Sequence, residues 1–289
     1  MPVIQHTDKH PQTPRILVFD SGVGGLSILQ EIRQQYPHCA YFYASDNAAF
    51  PYGTQPENTL VDRVDHVIHQ LQQCTQADII VIACNTASTV ALPRIRERFS
   101  QPIIGVVPAI KPAAAISQSK TIGLLATPGT VARSYTQQLI NEFASDCQII
   151  SVGSSELVLL AEKKLRGETI SPQQLKTIVE PFTDNHDIDT LVLACTHFPL
   201  LRDELRRVLP TIKHWIDSGE AIARRVGYWL NESPVLSEVT AAAQQNTVFF
   251  TEQSSSIESL APALQQFSLC NIAIVPNTQI HNAQNTGAK

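Results

Sequence analysis

The sequence lacks any apolar run of the roughly 18 residues that a membrane-spanning helix requires. Its first 14 residues, MPVIQHTDKHPQTP, also lack the apolar core of a signal peptide. The six cysteines form no C-x-x-C pair and have no metal-ligand spacing to a histidine. We therefore expect a cytoplasmic protein with free thiols, without a membrane partner and without a metal site.

Positive charge is also scarce. The net charge is −5, the isoelectric point is near 6.0, and the basic residues are spread along the chain rather than clustered. This distribution argues against nucleic acid as a partner. With 289 residues, of which 43% are hydrophobic, the chain can bury a large core and is long enough for two domains.

The signatures of common cofactors are missing as well. The glycine-rich stretch DSGVGG at 20–25 has neither the dinucleotide spacing G-x-G-x-x-G nor the lysine of a P-loop, and no lysine stands in a pyridoxal phosphate context. A tight turn explains the glycines but not Asp20 and Ser21 at the carboxyl end of a strand. We therefore predict a functional site there, where backbone N–H groups could hold a carboxylate or a phosphate.

What the sequence does contain is one stretch that occurs twice. DIIVIACNTASTVALPRIRERF begins at Asp78, and DTLVLACTHFPLLRDELRRVL begins at Asp189, 111 positions later. In both copies an Asp opens an apolar run, an Ala closes it and a Cys follows, so Cys84 corresponds to Cys195. The continuous apolar runs predict strands buried on both faces of a parallel sheet, and the amphipathic segments predict a helix just past each Cys.

Both cysteines are therefore expected between a strand's carboxyl end and a helix's amino end, where ligands bind in open α/β sheets. The helix dipole favours a thiolate at such a position, so we expect lowered pKa values and reactive thiols. A single cysteine at a strand end is more often a small buried hydrophobe. Two at matching positions of a repeat, each followed by polar residues, favour a functional role.

A second similarity follows the same order. The strand, small-residue turn and helix at 16–35 resemble those at 121–143, where Thr127, Pro128, Gly129 and Thr130 form the turn. We infer an ancestral duplication that produced two similar doubly wound α/β domains related by a pseudo-twofold axis. Such an arrangement would place Cys84 and Cys195 on opposite sides of one cleft.

Two opposed thiols suggest proton transfer on both faces of one carbon, which is the chemistry of a two-base racemase. One thiolate removes a proton while the other thiol returns one from the opposite side. His197 lies two residues past Cys195, so a thiol hydrolase with a Cys/His pair stays open as an alternative. A non-catalytic amino-acid-binding protein with inert thiols is the third hypothesis.

Four motifs resemble the aspartate/glutamate racemase family: FDSGVGG at 19–25, PYG at 51–53, ACNTAS at 83–88 and ACTHFPLL at 194–201. The resemblance implies a cofactor-independent enzyme that interconverts L- and D-glutamate and supplies D-glutamate for peptidoglycan; an aspartate racemase is the nearest rival. By motif position, Cys84 and Cys195 are the acid/base groups, assisted by Asp20 and His197. The implied substrate-binding residues are Asp20, Ser21, Tyr52, Gly53, Asn85, Thr86, Thr196 and His197, with Thr127 and Thr130 as weaker candidates.

Two departures from the family pattern bear on the site. The segment 46–50 before PYG lacks the family's common Arg, so carboxylate contacts are expected mainly from backbone N–H and hydroxyl groups. Ser154 and Ser155 stand where the family often has Cys-Pro, and Glu162 matches the family's helical Glu.

The family fold also implies a division into domains. It predicts a first domain at 15–108 with 218–275 and a second at 109–217, while composition predicts tails at 1–14 and 276–289 and a loose segment at 233–246. Members of the family are often homodimers and some respond to a cell-wall precursor. The resemblance therefore allows a second copy of the chain and such an effector as partners.

Overall fold

The computed structural model describes residues 13–232 and 246–275. The predicted tails and the predicted loose segment lie outside these residues, except for their edges at Thr13, Pro14 and Asn246. Within the described part of the chain, no helix combines the length and the apolar character needed to cross a bilayer.

The described residues form ten strands, and most of them are short and apolar. They are β1 (Arg15–Asp20), β2 (Ala40–Ser45), β3 (Ile79–Ile82), β4 (Ile103–Gly105), β5 (Thr121–Ala126), β6 (Gln148–Gly153), β7 (Thr190–Leu193), β8 (His214–Ile216), β9 (Thr247–Phe250) and β10 (Asn271–Ile274).

A helix lies between each described strand and the next, as parallel pairing requires. They are α1 (Leu26–Gln35), α2 (Glu57–Thr75), α3 (Asn85–Arg98), α4 (Ile110–Ile116), α5 (Pro128–Ala132), α6 (Ser134–Phe143), α7 (Glu156–Leu165), α8 (Pro172–Thr183), α9 (Arg202–Val208), α10 (Gly219–Glu232) and α11 (Ser256–Gln266). Single 3₁₀ turns cover Asn47–Ala49, Tyr52–Thr54 and Phe198–Leu201.

The strands form two parallel sheets. The first has the order β10-β9-β2-β1-β3-β4 and the second has the order β6-β5-β7-β8. The central strands β3 and β7 are buried along their whole length, because helices cover both faces of each sheet. The predicted α/β fold with two similar doubly wound halves is confirmed.

The two sheets repeat one topology. The order β2-β1-β3-β4 in the first sheet matches β6-β5-β7-β8 in the second, so β1 corresponds to β5 and β3 to β7. In each sheet the order reverses between these two strands, which creates a crevice at their carboxyl ends. The first sheet draws its strands from residues 15–105 and 247–274, the second from 121–216; the predicted domain boundaries themselves stay a prediction.

The Asp that opens each repeat has the same structural role in both halves. Asp78 Oδ2 accepts the N–H of Arg15 at the start of β1, at 2.8 Å. Asp189 Oδ2 accepts the N–H groups of Gln118 and Ser119 just before β5, and its Oδ1 accepts the hydroxyl of Ser117. Although burial opposes the charge, these hydrogen bonds hold the pKa of Asp189 below its usual range.

One expectation about the repeats is wrong. The helix α3 begins directly after Cys84, but the chain after Cys195 forms a 3₁₀ turn, and α9 begins only at Arg202. Pro199 is the reason: it has no N–H to donate to the carbonyl of Cys195 four residues earlier. That carbonyl accepts the N–H of Phe198 instead, at 3.0 Å, which tightens the turn.

The role of Asp189 leads to a stability prediction. We expect Asp189→Asn to lower the free energy of unfolding by about 2 kcal/mol at pH 7, because an amide oxygen is a weaker acceptor than a carboxylate. The folded-state pKa of Asp189 is lowered, so its contribution is fully present above the unfolded pKa, decreases as the pH falls below that value, and is lost only as the pH falls through the folded-state pKa. Urea unfolding at pH 7 and at pH 3 measures both effects.

The exposed Asp187, two positions earlier, provides the control. Asp187→Asn should leave unfolding nearly unchanged at both pH values. A deficit of Asp189→Asn that is as large at pH 3 as at pH 7 would contradict the assignment.

Candidate active site

The predicted site residues lie together in one cavity between the two sheets. All ten of them line it, together with Thr127 and four further residues. The empty space among these residues, counted out into the open mouth of the cavity, is about 420 Å³. Its lining consists of Asp20, Ser21, Phe50, Pro51, Tyr52, Gly53, Cys84, Asn85, Thr86, Thr127, Ser155, Val158, Cys195, Thr196 and His197.

Cys84 follows β3 and precedes the first turn of α3. Its side chain is buried, and its Sγ lies 3.8 Å from the hydroxyl of Ser21. Burial raises the pKa of the Cys84 thiol well above its usual value, and the negative charge of Asp20 adds to this effect. The N–H of Ala87 and the Ser21 hydroxyl act in the opposite direction but are outweighed. The prediction of a lowered pKa for this thiol is therefore wrong, because desolvation exceeds the effect of the helix terminus.

Asp20 ends β1 and is completely buried beside Cys84. One carboxylate oxygen accepts the N–H of Ser21 at 2.6 Å, and the other accepts the hydroxyl of Thr196 at 3.0 Å. Thr196 belongs to the second cysteine motif, so this carboxylate connects the two halves across the cavity. A buried carboxylate needs such donors, since an unpaired charge in the interior is costly.

Cys195 occupies the equivalent place after β7, with His197 beside it. The Sγ of Cys195 lies 3.9 Å from Nδ1 of His197, and Nε2 of His197 lies 2.9 Å from Oε1 of Glu162. Glu162 also accepts the N–H of Val23 and the guanidinium of Arg166, each at 2.9 Å. The histidine is thus held between a thiol and a carboxylate.

The contacts of His197 determine its charge. Burial alone would lower the pKa of His197, but the contacts with Cys195 and Glu162 outweigh burial and raise the pKa well above its usual value. For Glu162, burial acts upward, yet the hydrogen bond and charge of His197 lower the pKa. The two directions agree, so the pair is an imidazolium and a carboxylate.

Tyr52 and Gly53 form one wall of the cavity. Both residues line the cavity. The Tyr52 hydroxyl donates to Asp46 at 2.5 Å, so this hydroxyl is already engaged outside the cavity lining. Gly53 lies against Thr127 of the other half, where an added Cβ would meet that side chain at 3.5 Å.

The two threonines of the second turn differ in position. Thr127 lines the cavity and accepts the N–H of Thr130, so it begins α5 as its N-cap. Thr130 is buried behind it and does not line the cavity. Thr127 is the first residue after β5 and takes the place in the second half that Ser21, the first residue after β1, holds in the first.

Four lining residues were absent from the predicted set. Phe50 and Pro51 directly precede Tyr52, and the Phe50 ring packs on His197 with centroids 5.9 Å apart. Their place in the PYG loop was a usable signal. Ser155 and Val158 come from the start of α7, and the local sequence carries no sign that this helix end reaches the cavity. Among the described residues, no group of three or more His, Cys, Asp or Glu side chains is arranged to hold a metal ion.

These observations define a class of protein that is built from two similar α/β halves, each with a parallel sheet. Equivalent strands of the two halves each place one cysteine in the same largely desolvated cavity. The Asp/Glu/Hydantoin racemase family model matches residues 24–226. The glutamate racemases of Pectobacterium atrosepticum and Klebsiella pneumoniae are 48% and 47% identical over 267 and 277 residues; the first alignment covers 92% of this chain and 93% of the relative, the second 95% and 96%.

Solved structures agree with the sequence relatives. Escherichia coli glutamate racemase, in complex with L-glutamate and the activator UDP-MurNAc-ala, has a TM-score of 0.86 at 47% identity, covering 91% of this chain and 98% of that one. A glutamate racemase isoform from Bacillus anthracis has a TM-score of 0.78 at 26% identity, covering 94% and 100%. The chain belongs to the Asp/Glu/Hydantoin racemase family. The resemblance seen in the sequence motifs is confirmed, and the protein is an enzyme of the isomerase class.

The His197–Glu162 pair leads to a prediction about charge. We expect Glu162→Gln to lower the pKa of His197, because the carboxylate that stabilises the imidazolium is removed while the histidine stays buried. NMR titration of the histidine side chains measures this value directly. Glu156→Gln, an exposed change at the start of the same helix, should leave it unaltered. Equal pKa values of His197 in the wild type and in Glu162→Gln would disprove the coupling.

Proposed function

We propose that this protein interconverts L- and D-glutamate without a cofactor, by proton transfer between the substrate and two cysteines. One observation carries the proposal: Cys84 and Cys195 occupy equivalent positions in duplicated halves and line the same cavity. The glutamate racemases at 47–48% identity support glutamate as the substrate.

The reaction needs a base on one face of the α-carbon and an acid on the other. In each direction one cysteine, as thiolate, removes the α-proton, and the other, as thiol, donates a proton to the opposite face. The raised pKa of Cys84 supports this division of roles: the thiol is protonated at rest and, once deprotonated, is a strong base. A strong base suits a substrate whose α-proton is only weakly acidic.

Each thiol has a neighbour suited to assist it. Asp20 borders Cys84 and could balance the positive ammonium group of the substrate, while His197 could stabilise a thiolate at Cys195 through its Nδ1 proton. Glu162 would keep His197 protonated and oriented. This arrangement places a negative group beside one thiol and a positive group beside the other.

Polar groups around the cavity provide the binding contacts for a dicarboxylic amino acid. The Oδ1 atom of Asn85 is buried without a hydrogen-bond partner, and it could accept a hydrogen bond from the substrate ammonium group. The first N–H groups of α3 have no carbonyl within the helix to pair with, and they favour a carboxylate. Ser21, Thr86, Thr127 and Thr196 supply hydroxyl groups.

The same proposal includes the cellular role and the partners. D-glutamate made here would supply peptidoglycan synthesis in the cytoplasm, where the six free cysteines stay reduced. A homodimer and a response to a cell-wall precursor are part of the proposal too; the E. coli relative, solved with the activator UDP-MurNAc-ala, supports an effector.

Hydrogen exchange tests the proposed reaction. In deuterated water, both L- and D-glutamate should gain one deuterium at the α-carbon as they invert, since both thiols exchange with solvent. Mass spectrometry and circular dichroism follow label and inversion together. Absence of both with glutamate would reject this substrate, and inversion of aspartate in the same assay would identify the nearest rival. A covalent adduct with an ester or amide would instead indicate a thiol hydrolase.

Single substitutions test the two-thiol step. Cys84→Ser and Cys195→Ser should each reduce racemisation in both directions by about 1,000-fold or more, because a serine hydroxyl is a far weaker acid and base. Each variant should keep α-proton exchange with only one enantiomer, and the two variants should keep it with opposite ones. Cys74→Ser, at an exposed cysteine, is the control and should behave as the wild type. A fully active single variant would remove the two-thiol mechanism.

A further inference from the structure

A buried carboxylate behind the cavity wall is held by donors from three separate elements. Asp46 follows β2 and is completely buried. Its Oδ2 accepts the Tyr52 hydroxyl at 2.5 Å and Nε of Arg63 at 2.9 Å, and its Oδ1 accepts Nη2 of Arg63 at 2.5 Å and the Thr251 hydroxyl at 2.6 Å. The site chemistry described above leaves this network without a role.

Arg63 binds Asp46 in the two-pronged geometry that is specific to a guanidinium. It comes from the second turn of α2, its side chain is 11% exposed, and it does not line the cavity. A bidentate pair fixes the orientation of the carboxylate as well as its charge. Asp46 is therefore held in one orientation toward Tyr52.

The loop after Asp46 is the part of the structure that this orientation controls. Residues 50–53 form one wall of the cavity, and Tyr52 is attached to Asp46 through its hydroxyl. The segment is also tied to the end of β9, where Asn47 Oδ1 accepts the N–H groups of Thr251 and Glu252. The loop thus has a fixed support on the side away from the substrate.

We propose that Arg63 is a positioning residue for the reaction: through Asp46 it holds Tyr52 and the 50–53 loop where the wall fits glutamate. The inference rests on the proposed function, since it concerns the same cavity. Arg63 itself does not line the cavity.

A positioning role predicts a particular kinetic effect. The proposed proton transfers take place at the thiols and not at the loop, so we expect a misplaced loop to weaken the binding of substrate and transition state alike without changing the chemical step. We expect Arg63→Lys, which keeps the charge but not the two-pronged contact, to raise KM about tenfold for both enantiomers with kcat within about twofold.

Two control variants separate positioning from general stability. Val64→Ala removes a buried side chain from the same helix without touching the cavity, and it lowers stability through packing alone. Arg98→Lys alters the ion pair between Arg98 on α3 and Asp65 on α2, in the same half of the molecule. Both controls should retain the wild-type KM and kcat, measured well below their melting temperatures.

A milder variant keeps the test informative if Arg63→Lys folds poorly. Tyr52→Phe deletes only the hydroxyl that reaches Asp46, and it should raise KM about fivefold. Because both changes act through the same contact, the KM of the Arg63→Lys/Tyr52→Phe double variant should be no higher than the KM of Arg63→Lys alone. An unchanged KM in Tyr52→Phe, or KM values of Arg63→Lys that match the two controls, would overturn the positioning role. Wild-type enzyme that racemises no glutamate would instead refute the proposed function itself.

Discussion

The cavity exists because two parallel sheets turn the carboxyl ends of their central strands toward the same cleft. In each sheet the strand order reverses at the pair β1/β3 or β5/β7, and the chain must leave these strands through loops at that edge. Cys84 and Cys195 are the second residues past β3 and β7. The two thiols therefore come together as a consequence of sheet topology and of the duplication. Each thiol follows the equivalent strand of its own half at the same distance along the chain.

Burial in the cavity removes these groups from water, and hydrogen bonds within the site offset the free energy of desolvation. Asp20 is satisfied by Ser21 and Thr196, and His197 is satisfied by Cys195 and Glu162. Desolvation still dominates at Cys84, whose pKa is raised. A buried charge is tolerated here only where donors or an opposite charge surround it, and a buried thiol without a cation stays neutral. The two thiols, equivalent by topology, thus differ in their electrostatic environments.

Support from outside the cavity follows the same physical principle. Asp46 is buried without contact to the cavity, yet its donors come from α2, from the Tyr52 loop and from the end of β9. Glu162 likewise reaches from α7 to the backbone of Val23 in the other sheet's half. Each buried carboxylate fixes the orientation of the loops that it contacts, because its hydrogen bonds are directional and costly to break.

The strands, the repeat and the residues at the strand ends could be predicted from local sequence patterns. Apolar runs that end in Asp20, Cys84 or Cys195 required no knowledge of the partner half, since a buried parallel strand is recognisable from its own residues. Local chemistry also accounts for the 3₁₀ turn at Pro199, although the prediction of a regular helix overlooked the missing N–H.

The surroundings of those residues, in contrast, arise when distant segments pack together in the folded chain. The raised pKa of Cys84, the contacts of Glu162 with His197 and Val23, and the ion pair of Arg63 with Asp46 depend on residues 17 to 139 positions apart. Ser155 and Val158 likewise reach the cavity from a distant part of the chain. Burial and electrostatic coupling depend on distance in space, and a local pattern contains no measure of it. Local sequence patterns therefore predict which residues belong to the site, while the charges and orientations of these residues arise from packing.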